Sequence, residues 1–147
     1  MKMTEINNSN YQAYTNLDIV AFSVAYEGAM GEGGGIEIID RGGQMYHANF
    51  YYGKDHLERE HIKDIIPAIT DIDFHLVGCE SKNENWKFVY LGYGNNLFVV
   101  NDIYEDFMKK VEEAHFESVG QLYQRWSRIV LSLLNRAGHP LSHSNTR

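Results

Sequence analysis

The 147-residue chain is long enough to bury one hydrophobic core and short for two. Its 44% apolar and 13% aromatic content excludes a disordered chain, and the single cysteine, Cys79, excludes an intramolecular disulfide or a cysteine-rich zinc site. Twenty acids face thirteen Lys and Arg, a formal charge of −7; all the acids fall in residues 1–117, while Arg125, Arg128, Arg136 and Arg147 stand alone beyond them. Such a body repels nucleic acid and anionic lipid and steers a basic protein toward itself.

A lone thiol fits a reducing compartment. The N-terminal stretch MKMTEINNSNYQAYTNLD lacks an apolar signal core, and the longest apolar windows fall short of the roughly 20 residues a bilayer span needs. The expected setting is the cytoplasm, with no membrane contact.

Residues 1–10 are polar and expected to be frayed. Leu17–Tyr26 reads as a buried strand ending near Gly28, and the glycines of 31–35 as a flexible turn. Ile36–Asp40 and Gln44–Tyr52 read as two strands joined through Arg41, Gly42 and Gly43. Asp55 and Glu58 have capping-box spacing for a helix whose inward stripe is Leu57, Ile62, Ile65 and Ile66, stopped at Pro67. Phe74–Cys79 is a further strand, and Trp86–Leu91 with Leu97–Asn101 a second hairpin. Asp102 and Glu105 repeat the capping spacing ahead of a helix face of Ile103, Phe107, Met108 and Val111. The last helix is the plainest: Val119, Leu122, Tyr123, Trp126, Ile129, Val130, Leu133 and Leu134 recur at every third or fourth position, and Gly138 and Pro140 mark its end. The order suggests one α+β domain over residues 11–137: a mostly antiparallel sheet of five or six strands covered on one face by three helices, with 138–147 a flexible tail.

Motifs for catalysis are sparse. His56 and His61, five apart on the predicted helix, do not share a face; His56 and Glu60 do, but lack a third metal ligand. His75 stands too far along its strand from Cys79 to activate it. The glycine-rich run lacks the Lys and Ser or Thr of a phosphate loop. Neither metal nor cofactor is expected. A pocket between sheet and helices using His47, Asp73, His75 or Tyr90 is the alternative, as a small enzyme or ligand-binding domain.

Aromatic side chains near polar turns, Tyr46, Tyr51, Tyr52, Trp86, Tyr90, Tyr93 and Tyr104, together with carboxylates on two helices, favour a protein-binding surface. Glu58, Asp64, Trp86, Tyr93, Glu105 and Asp106 are its candidate residues, and a basic protein is the expected partner. An edge strand offers a route to a homodimer. The segment YLGYGNNLFVVNDIYEDF, residues 90–107, resembles strand–turn–strand–helix stretches in the bacterial immunity proteins that are paired with delivered toxins. That resemblance implies an inhibitor that binds and neutralises a cognate toxin domain, for instance a basic nuclease; it assigns no binding residue.

Overall fold

The computed structural model describes residues 3–27, 33–50, 56–67, 87–90, 96–101, 103–114, 119–136 and 138. Seven strands are found among them: β1 (Thr4–Glu5), β2 (Ile19–Glu27), β3 (Gly33–Asp40), β4 (Met45–Phe50), β5 (His56–Leu57), β6 (Lys87–Tyr90) and β7 (Asn96–Val100). The helices are α1 (Arg59–Ile65), α2 (Tyr104–Ala114) and α3 (Val119–Arg136), and a 3₁₀ turn spans Tyr11–Tyr14. No helix among the described residues is long and apolar enough to cross a membrane.

One mixed sheet runs in the order β1-β4-β3-β2-β7-β6, with β5 also on β4. The ladders β2–β3, β3–β4, β2–β7 and β6–β7 are antiparallel, as short connections require. The two-residue strands β1 and β5 are parallel to β4. Tyr46, Ala48, Phe22, Val24, Ile36 and Ile38 alternate with residues of opposite facing, which is what the period of two in a strand dictates. A register shift between Ile19 and Ala21 lets both Val20 and Ala21 face the other way.

The packing divides the helices that the sequence placed together on one side. Ile62 and Ile65 of α1 share a core with Phe22, Ile36, Ile38 and Phe50, and Tyr11 and Tyr14 pack against it. Phe107 of α2 and Trp126, Val130, Leu133 and Leu134 of α3 form another with Val20, Ala21, Ile39, Met45 and Val100. The strands carry apolar residues at both parities, so both faces need cover.

Three other expectations are corrected. Residues 4–5 of the polar N-terminus pair with β4, and Ile6 is wholly buried. Gly33, Gly34 and Gly35 are strand residues paired with both β2 and β4, or with β2 alone at Gly33, instead of part of a turn. Helix α1 starts at Arg59, since His56 and Leu57 are held by β4; Glu58 is its N-cap, in extended conformation and without a side-chain capping bond. Asp55, Asp102 and the Phe74–Cys79 segment lie outside the described residues.

Candidate functional site

Helices α1 and α2 carry the candidate carboxylates, and they lie against opposite faces of the sheet. Asp64 is exposed on α1 and Glu58 half-buried at its start; Glu105 and Asp106 are exposed in the first turn of α2. The structure therefore groups Glu105 with Asp106 and separates both from Glu58 and Asp64. Trp86 and Tyr93 lie outside the described residues, as do Tyr51, Tyr52, Asp73, His75 and Cys79.

Other aromatic side chains turn inward. Tyr46 is buried, and its hydroxyl donates to Asp40 Oδ2 at 2.8 Å. Burial, then that hydrogen bond, then the nearby charges of Asp40 and Tyr14 hold the phenol's pKa well above its ordinary value. Tyr11, Tyr14 and Tyr104 are half-buried against the two cores. Tyr46 and Tyr104 thus serve packing more than contact with a partner.

Around Glu58 the chain builds a polar junction from segments about fifty residues apart. Asn8 Oδ1 accepts the Glu58 backbone N–H at 2.9 Å and lies 3.0 Å from His61 Nδ1. Asn8 Nδ2 stands 3.4 Å from His56 Nε2, which in turn is 3.2 Å from Glu58 Oε1. The Tyr11 ring stacks on His61 with centroids 4.1 Å apart and planes within 8°. Asn8 is presented by a knot of local bonds: Asn7 Oδ1 accepts from the N–H groups of Ser9 and Asn10, while Asn10 Oδ1 accepts from the N–H of Asn7. His56 and His61 consequently converge on one amide, because His56 belongs to β5 and not to the helix; its expected pairing with Glu60 on a helix face is lost with it. Among the described residues no three His, Cys, Asp or Glu side chains are grouped to hold a metal ion.

On the opposite side, α2 is anchored by buried Ile103 and Phe107 and turns Glu105, Asp106, Lys109, Glu112 and Glu113 to solvent. Glu105 with Lys109 and Asp106 with Lys110 have the i,i+4 spacing at which opposite charges support a helix, and the acids at its start meet its positive dipole end. A shallow groove between α2 and α3 is lined by Asp106, Lys109, Lys110, Glu113, Leu133 and Arg136, so it carries both signs of charge. Exposed Arg125 and Arg128 continue the basic side along α3.

Comparison with known protein families, with curated proteins and with solved structures finds no match.

Sequence reasoning missed Asn8 and Tyr11. The run Asn7-Asn8-Ser9-Asn10 was the available signal, since such residues bond to nearby backbone and fix turns.

Proposed function

We propose that the protein acts by binding another protein, as an inhibitor of the immunity type that neutralises a basic toxin domain in the cytoplasm by direct contact. The observation that carries this reading is the outer surface of α2. Glu105 and Asp106 are followed two turns later by Glu112 and Glu113, all exposed, so two carboxylate pairs stand about 10 Å apart, with Lys109 and Lys110 between them, on a helix fixed from beneath. With the net charge of −7, that surface attracts cationic partners over a Debye length and pairs with Lys or Arg on contact. Glu58 and Asp64 belong to the opposite face and add to the long-range field only.

The experiment is a pull-down with the product of the adjacent gene, followed by co-expression. A 1:1 complex and rescue of cells from that product are the expected results; neither complex nor rescue would remove the reading. Glu105→Lys with Asp106→Lys should slow association several-fold at low salt and much less at high salt, measured by stopped-flow binding.

A further inference from the structure

Beyond the partner reading, the α3-facing side of the sheet gathers polar groups into a row. Phe22, Ile36, Ile38, Tyr46 and Ala48 face the α1 core, so Ser23, Glu37 and His47, their chain neighbours, project toward α3. Trp126 of α3 agrees: its indole Nε1–H donates to Glu37 Oε1 at 3.1 Å. The ladders set Ser23 opposite Glu37, Glu37 opposite His47, and His47 opposite Glu5. Directly opposed Cβ atoms stand about 5 Å apart. In the next row Gly35 lies between Ala25 and Asn49. A Cβ built on Gly35 would meet His47 Cε1 at 3.5 Å and Asn49 Oδ1 at 3.7 Å, so both side chains lean into the space that a side chain at Gly35 would take.

This row grades from open to closed. Glu5 and Asn49 are exposed, His47 and Glu37 half-buried, and Ser23 only 1% exposed. Ser23 Oγ is buried and has no hydrogen-bond partner among the described residues. A buried hydroxyl in that condition is destabilising, and alanine would avoid the cost with almost no change of shape. Of the row's acceptors, the Glu37 carboxylate stands next to Ser23, while the Glu5 carboxylate lies three strands away, about 14 Å along the row; His47 and the Asn49 amide between them can both accept and donate. Trp126 fixes one oxygen of Glu37 and leaves the other for a second donor. An occupant that complements such a row brings N–H groups and a positive charge.

We propose that Ser23, Glu37, His47 and Glu5, beside Gly35, form a slot for an ammonium or guanidinium group. The cation enters from the β1 edge, Glu37 supplies the counter-charge, and Ser23 Oγ accepts a hydrogen bond at the closed end. A free amine and a Lys or Arg side chain presented by a polypeptide offer the same chemistry.

The test follows the indole N–H resonance of Trp126 in the full chain, assigned with Trp86→Phe. The probes are butylammonium, butylguanidinium, and the blocked tripeptides Gly-Lys-Gly and Gly-Arg-Gly, with butanol as the neutral control. A saturable shift with the cations and none with butanol is expected. Glu37→Gln keeps an acceptor for Trp126 but lacks the charge, and should weaken binding by roughly tenfold or more. Ser23→Ala should weaken binding while Tm stays level or rises. Tighter binding of the free cations assigns a small amine; tighter binding of the tripeptides assigns a polypeptide side chain. No saturable shift, or affinities unchanged in both variants, overturns the slot. Glu105→Lys leaves this readout untouched, so failure of the partner reading and failure of the slot are told apart.

Discussion

The two sides of the sheet are closed by different means. Over the Val20–Ile39 side lie α2 and α3, both longer than ten residues, continuous in sequence with β7 and anchored by Phe107 and Trp126. Over the Phe22–Ile38 side, a seven-residue helix, a 3₁₀ turn and Ile6 share the work, and none is long enough to hold itself. What joins those pieces is polar: Asn8 ties the N-terminal segment to β5 and α1. One lid rests on amphipathic burial, the other on a side-chain amide that bridges distant parts of the chain.

The sharpest way to break that comparison is Trp126→Ala. It empties a fully buried site and removes the donor to Glu37, and should destabilise by about 3–5 kcal/mol in urea titration. A loss near 1 kcal/mol would mean that the α3 side is far less dependent on its anchor than the packing implies. Asn8→Ala should cost about 1–3 kcal/mol by orphaning the Glu58 N–H and the His61 contact. Hydrogen exchange should then quicken at residues 4–14 and 56–65 while α3 keeps its protection; uniform quickening would erase the distinction between the lids.

Tyr46→Phe should cost about 1 kcal/mol near neutral pH, through loss of the bond to Asp40. Its pH signature carries a sign. The folded phenol's pKa is raised, so the folded state holds its proton where the unfolded state has released it. That contribution is whole below the ordinary phenol pKa of about 10 and is lost as pH rises above it. The parent should therefore lose stability above that pH more steeply than Tyr46→Phe, as read by denaturation at several alkaline pH values. The smallest effect belongs to Arg41→Gln: the Arg41–Asp18 pair, at 3.0 Å, is largely solvated and should be worth about 0.5 kcal/mol or less. The backbone bond from the Arg41 N–H to the Asp18 carbonyl survives that change.

Where the chain repeats a period for long enough, its structure was legible. α3 occupies 119–136 as its apolar stripe predicts, α2 follows from Ile103, Phe107 and Val111, and the strands of both hairpins pair as expected. The short pieces were not legible. β1 and β5 hold two residues each, and a parallel pairing of that length exists only because Ile6 and Leu57 are buried beside it. The two-sided cover had a signal that went unused, since Ile36, Ile38 and Ile39 on one strand satisfy both faces. The Asn8 junction could not be read, because an asparagine carries no mark of partners fifty positions away. The row from Ser23 to Glu5 was hidden likewise, since four strands had to be put in register before it existed.

β4 borders the sheet's interior on one side, while its outer hydrogen-bonding rim is shared by two unrelated stretches laid end to end: Thr4 and Glu5 beside Tyr46 and His47, then His56 and Leu57 beside Asn49 and Phe50. Clipping the first half-dozen residues would strip one half of that rim and leave the other dressed. The bared carbonyl and amide groups of Tyr46 and His47 would then be a ready template for another molecule's backbone, a rim that Thr4 and Glu5 otherwise occupy.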